Sequence, residues 1–307
     1  MTRLVLALVL TVASFVEPAS DARTAVFVGS TPCNGALRAL LDIPRAENAE
    51  LIEWELSLSD TGEPSTSGNY DLRFKFGKTR PNQPGLDADA SKRERRGRWK
   101  REAASRQPAT TVVALDNGLS LLRVGDTILH LLEANRSLMA GNGGWSYTLS
   151  RRDVSERHPD AAVAAADPGD PPRTTSRATG PSLLAIFDGR TPCQGIAREL
   201  GIAARPGCSK AKWRLTLFHD PNSHEPTTYR LEGTLYRSQP REGSWRITRG
   251  IPGLPGADVY ELGSGNGEPQ ALLLKGDERV LFFLGRDRLP LTGNATNAYT
   301  LDRVSGR

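Results

Sequence analysis

Residues 53–58, Glu-Trp-Glu-Leu-Ser-Leu, alternate polar and apolar side chains, and residues 212–217, Lys-Trp-Arg-Leu-Thr-Leu, do the same. A period of two puts successive side chains on opposite faces of an extended chain. Trp54, Leu56 and Leu58, and likewise Trp213, Leu215 and Leu217, therefore predict strands with one face turned into a core. Short runs of the same kind follow at 70–76, 111–115, 119–124, 127–132 and 145–150, and again at 229–236, 245–248, 258–262, 271–275, 279–284 and 298–302. Gly125-Asp126 and Gly276-Asp277 fall where two apolar runs meet, which suits tight hairpin turns. After positions 33 and 193 the spacing changes: Leu37, Leu40 and Leu41, then Ile196, Leu200 and Ile202, recur at near-helical intervals. Six to eight short antiparallel strands in each half, with one short helix, give an all-β class. The expectation is two tandem small antiparallel barrels or half-barrels, each with a short capping helix.

The halves are copies of each other. Gly29-Ser30-Thr31-Pro32-Cys33-Asn34-Gly35 returns as Gly189-Arg190-Thr191-Pro192-Cys193-Gln194-Gly195. Trp54, Glu63-Pro64, Tyr70-Asp71-Leu72, Gly97-Arg98-Trp99, Gly125-Asp126 and Tyr147-Thr148-Leu149 return in the same order as Trp213, Glu225-Pro226, Tyr229-Arg230-Leu231, Gly243-Ser244-Trp245, Gly276-Asp277 and Tyr299-Thr300-Leu301. So many ordered matches mark an internal duplication. The first copy spans 23–152 and the second 182–307; residues 153–181, rich in Pro, Asp and Ala and poor in large apolar side chains, read as a flexible linker.

At the N-terminus a positive start, Met1-Thr2-Arg3, precedes an apolar stretch from Leu4 to Val16 and then small residues at Ser20 and Ala22. This is the pattern of a cleaved secretory signal, residues 1–22, and it is shorter than the roughly 20 apolar residues that span a bilayer. The chain is therefore expected to be exported, periplasmic or extracellular. Cys33 does not directly follow the apolar stretch, so no lipid anchor is expected. A net charge of +5 is modest, and much of it sits in Lys92-Arg93-Glu94-Arg95-Arg96-Gly97-Arg98-Trp99-Lys100-Arg101. That run reads as a solvated basic loop, with contact to an anionic membrane surface as its functional alternative. Export argues against nucleic acid as a partner.

An apolar residue and Gly before Pro-Cys, a Gly-hydrophobic step, strands, a mid-domain Gly-x-Trp and a closing Tyr-x-Leu together resemble the NlpE-like copper-resistance family. That resemblance covers both copies. It implies lipocalin-like barrels of the bacterial envelope, linked to copper tolerance and to sensing envelope stress. This chain departs from the family pattern in two places: the Cys-x-x-Cys that could hold a soft metal is reduced to Cys33 and Cys193, each followed by Gly35 or Gly195, and the lipid-anchoring cysteine is missing. The fold carries over; copper binding does not.

The 3 cysteines are Cys33, Cys193 and Cys208. A Cys193–Cys208 disulfide would pin the capping helix to the next strand and leave Cys33 over; a Cys33–Cys193 bond between the copies and metal ligation are the alternatives. The first copy has Ala49 near the place of Cys208. His219-Asp220 and His224-Glu225 share one loop and offer metal-ligand chemistry, against the plainer reading of a polar hairpin tip. His130 falls in a strand and His158 in the linker, and neither suggests chemistry. Weak metal candidates are thus Cys33, Cys193, His219 and His224, with copper as the one cofactor to consider. Trp54 and Trp213 are barrel core or, alternatively, line a ligand cavity. No nucleophile elbow, His-Glu-x-x-His pair or phosphate-cradling loop occurs, and Gly263-Ser264-Gly265-Asn266-Gly267 reads as a turn between strands. No catalytic residue is assigned. The sequence leaves an envelope binding or sensory protein, taking a small ligand or an envelope protein, as the first expectation. A structural module whose tandem domains bring partners together is the second, and an enzyme of unrecognised type the last.

Overall fold

A computed structural model describes residues 24–60, 66–80, 85–103, 110–155, 182–236, 239–263 and 269–304. The leader 1–22, most of the linker including His158, the Glu63-Pro64 pair and Ser264–Gly267 lie outside the described residues.

The first copy forms β1 (Thr24–Pro32), helix α1 (Gly35–Leu40), β2 (Leu51–Asp60), β3 (Ser67–Gly77), β4 (Ser91–Ala103), β5 (Thr111–Leu115), β6 (Ser120–Val124), β7 (Ile128–Leu131) and β8 (Thr148–Arg151), followed by a helical turn, α2 (Arg152–Ser155). The second forms β9 (Ser182–Pro192), α3 (Cys193–Glu199), β10 (Lys210–His219), β11 (Pro226–Gly233), β12 (Arg241–Ile251), β13 (Leu254–Gly263), β14 (Pro269–Lys275), β15 (Val280–Leu284) and β16 (Thr300–Val304). Each set of eight strands runs antiparallel in chain order and closes on itself, β8 against β1 and β16 against β9. Both are closed barrels, and neither is a half-barrel.

The repeated motif supplies the closure. Gly29 sits where β8 crosses β1: a Cβ there would lie 2.7 Å from the Thr148 carbonyl oxygen, and one on Gly189 would lie 2.4 Å from that of Thr300. Two residues on, the Thr31 and Thr191 hydroxyls accept the indole N–H of Trp54 and Trp213, each at 2.8 Å. The proline then ends the strand and the chain turns into the helix. The Gly-x-Thr-Pro motif is in this way accounted for by closure and by satisfying a buried indole donor.

The inward rows make one core per barrel. Trp54, Leu56, Leu72, Phe74 and Phe76 belong to the first, with Leu37 of α1 closing over them. Trp213, Leu215, Tyr229, Leu231 and Phe283 belong to the second, under Ile196 of α3. Residues 145–147, expected as strand, precede β8, and β1 and β9 carry no alternating pattern clear enough to predict. Ladder register also moves one repeat match: Val124 pairs with Ile128, whereas the equivalent ladder in the second barrel continues to Gly276, whose N–H donates to the Val280 carbonyl. Val124, not Gly125, is thus the counterpart of Gly276.

The basic run 92–101, expected as a loop, lies in β4. Its strand period is hidden because most of the inward positions are not apolar. Arg93 donates to the Asp42 carbonyl (2.7 Å), and Arg95 donates to the Asp42 carboxylate (2.6 Å) and the Leu40 carbonyl (3.4 Å). Only Trp99 on that row is a buried apolar side chain.

Candidate functional site

The two barrels meet through a third core that lies outside both. It contains Val112, Val124, Ile128, Leu132 and Leu138 of the first and Ile251, Ala257, Val259, Leu272, Leu274, Val280, Phe282 and Leu284 of the second. These come from the outer faces of β5–β7 and β12–β15 and from the Leu132–Leu138 bridge that follows β7, so β7 and β15 are buried on both sides; every residue of Ile128–Leu131 and of Val280–Leu284 is buried.

Polar side chains are set into this seam in a fixed order. His130 is completely buried and its Nε2 lies 2.9 Å from the Met139 carbonyl oxygen, which can only accept. Nε2 therefore carries the proton and Nδ1 is left as an acceptor. The Thr148 hydroxyl, 2.8 Å away, donates to Nδ1; its own oxygen then takes the proton of Thr300, at 3.0 Å across the seam. The imidazole is held neutral: loss of solvent pushes its pKa down to about 4. Asp302 is also buried and accepts the Gly141 N–H at 2.7 Å. Burial pushes its carboxyl up to about 7, and nearby Asp277 adds to the rise. Ser150 occupies the repeat position of Asp302, and its buried hydroxyl has no partner. Around these groups the Ser30 hydroxyl donates to the Ala295 carbonyl (2.8 Å), the Leu138 N–H to Asp277 (3.1 Å), and Arg279 to the Ser137 hydroxyl (2.7 Å) and the Leu138 carbonyl. Arg190 lies over the Trp145 ring at 5.5 Å.

The residues singled out in the sequence do not converge. Trp54 and Trp213 are 4% and 3% exposed and their indoles are engaged by threonine, which places both in packed core. Cys193 and Cys208 are bonded to each other, with Cα atoms 5.7 Å apart. Cys33 is free and half-buried in the other barrel, its thiol pKa raised by burial. His219 and His224 stack with ring centroids 5.4 Å apart and planes inclined by 17°, so their in-plane lone pairs run side by side and do not aim at one point. The Asp220 carboxylate accepts the N–H groups of Asn222 and Ser223, which closes the turn and lowers its pKa. Among the described residues no three His, Cys, Asp or Glu side chains are grouped to hold a metal ion.

Much of the basic charge of β4 is internally paired. On its outer row Arg96 meets Asp71 at 3.1 Å and Lys100 meets Glu102 at 2.8 Å, while Arg93 and Arg95 reach the capping segment. Among the described residues the exposed large apolar side chains are Leu183 (50%), Leu184 (37%), Ile247 (46%) and Leu289 (47%). The first two line a shallow groove of about 400 Å³ with Ala185, Ile186, Arg279, Arg303 and Val304. No helix among the described residues is long and apolar enough to cross a membrane.

Compared with family models, with characterised proteins and with solved structures, the chain matches none. The seam was missed in the sequence, although a signal for it is present. Val-Leu-Phe-Phe-Leu at 280–284 and Ala-Leu-Leu-Leu at 271–274 are unbroken apolar runs, the pattern of strands covered on both faces.

Proposed function

We propose that this chain is an exported interaction protein of the cell envelope, which holds two barrels together and presents their outer surfaces to protein partners. The observation that carries this reading is that the inward rows of both barrels form packed cores, with Trp54 and Trp213 buried and hydrogen-bonded inside them. A lipocalin-type carrier needs an empty interior lined by a few polar groups. Export rests on the leader pattern of residues 1–22, and an envelope setting on the NlpE-like layout of the repeated motifs. Copper is left out of the proposal, because Cys193 is bonded to Cys208 and Cys33 stands alone.

Two titrations on the mature chain test it, both followed by tryptophan fluorescence. A fluorescent fatty acid should give no saturable signal; saturable uptake of one molecule per barrel would overturn the reading in favour of a carrier. Cu(I) should bind the parent and Cys33→Ser equally weakly, and tight binding lost in Cys33→Ser would restore the copper reading.

A further inference from the structure

Five contacts across the seam have reciprocal or self-matching counterparts. Thr148 and Thr300 are equivalent positions in the two copies, and their hydroxyls touch each other at 3.0 Å. His130 and Phe282 are likewise equivalent, and their rings meet edge to face at 5.4 Å. A Cβ on Gly141 of the first copy would lie 2.7 Å from the carboxylate of Asp302; one on its counterpart Gly293 would lie 2.9 Å from the hydroxyl of Ser150, the counterpart of Asp302. Ser30 reaches the 293–297 loop at Ala295, and its counterpart Arg190 reaches the 141–145 loop at Trp145. Leu138 donates its N–H to Asp277 in the β14–β15 turn, and its counterpart Pro290 lies against Gly125 in the β6–β7 turn. Where residue i meets j′ and j meets i′ at pair after pair, the interface is isologous in outline: the same patch on each unit faces itself across an approximate two-fold axis, with Arg279 on Ser137 and Leu138 as a contact of one side only. Random docking of two domains joined by a tether has no reason to produce this.

We infer that the β5–β8 wall of the barrel, with its equivalent β13–β16, is a dimerisation surface whose partner is a second barrel of this type, so that the chain is a tethered dimer. Nothing in the seam requires both barrels to belong to one chain. The stretch after α2 joins the two barrels in one chain and so raises the effective concentration of one wall for the other. Two copies of the chain can therefore pair reciprocally, first barrel of one with second barrel of the other. This holds whatever the outer surfaces bind.

The test uses the whole chain carrying Thr148→Cys and Thr300→Cys, with Cys33→Ser, refolded in oxidised glutathione from equal amounts of isotopically heavy and light copies. In dilute solution the 148–300 bond should form within one chain. As protein concentration rises, heavy–light 148–300 peptides should appear together with a species of doubled mass. A 148–300 bond that stays within one chain at every concentration overturns the inference. So does its absence from chains that have re-formed Cys193–Cys208. A second measurement needs no refolding: a protease site is placed between 156 and 181 in the folded chain and cut. The halves should stay together on size exclusion and trade heavy for light partners. Folded halves that separate overturn the inference equally.

Discussion

The two barrels fasten the same capping segment in different ways. In the first, Asn34 caps α1 by accepting the Leu37 N–H at 2.8 Å, and Arg38 donates to the carbonyls of Pro44, Glu47 and Ala49 at 3.1, 3.0 and 2.6 Å. Arg93 and Arg95 of β4 hold the segment from the other side. In the second, Pro192 stands at the cap position with no side-chain hydrogen bond, and Cys193–Cys208 ties the segment down covalently. Ala49, nearly buried, fills the place of Cys208 in the first barrel. A duplicated fold therefore fixes where a segment must be held and leaves open whether polar bonds or a covalent bond hold it. The seam shows a second divergence: the first barrel contributes a buried imidazole, the second a buried carboxylic acid.

That last contrast gives the largest expected effect. Asp302 holds a proton in the folded chain up to about pH 7 and loses it near 3.8 when unfolded, so its contribution is present at low pH and lost as pH rises through 7. His130 refuses a proton down to about pH 4 that the unfolded chain takes up near 6.5, so its contribution is lost as pH falls. The two slopes oppose each other between pH 4 and 6.5. Each pH unit of displacement is worth about 1.4 kcal/mol, so either group alone should move stability by a few kcal/mol. Asp302→Asn should make stability fall relative to the parent on acidification, and His130→Phe should make it rise. Urea midpoints measured from neutral to acid pH read both slopes, and parallel curves would refute the assignment.

Next, replacing Cys193 and Cys208 by serine should lower the stability of the second barrel by about 3 kcal/mol, the chain-entropy value for a loop of 15 residues, and leave amide exchange in the first barrel core unchanged. Conversely, Ala49→Cys should form a disulfide with Cys33 and gain a similar amount. The Cys33 N–H already donates to the Glu50 carbonyl as that of Cys193 does to Ser209, at 2.9 and 3.3 Å. Mass mapping checks the bond, and a free Cys33 thiol in that variant would break the equivalence. Arg38→Ala should cost about 2 kcal/mol through three charge-assisted hydrogen bonds, and Asn34→Ala about 1 kcal/mol through the lost cap, both confined to the first barrel and read by amide exchange of α1.

Legibility followed the kind of force at each position. Trp54 and Leu56 announced their strand because burial on one face writes a period of two into the sequence. The three thiols left few pairings, and the structure chose Cys193–Cys208 among them. β4 did not announce itself: Arg93 and Arg95 face inward toward carbonyl and carboxylate groups, and polar partners leave no apolar period. The seam was half-legible. Its apolar runs are plain at 280–284, yet His130, Thr148 and Asp302 look like ordinary strand residues until the other barrel is placed against them.

By itself the sequence determined that there are two copies and that each is a β domain with a short helix; it narrowed the cysteine pairing without deciding it. Those features depend on periodicity and on matches within one chain. The tertiary structure alone decided that the barrels close, that their inward rows gather into one buried core each, and that they face each other through a self-matching wall. Contacts between residues some 150 positions apart carry no local pattern, so only the assembled fold brings Thr148 to Thr300.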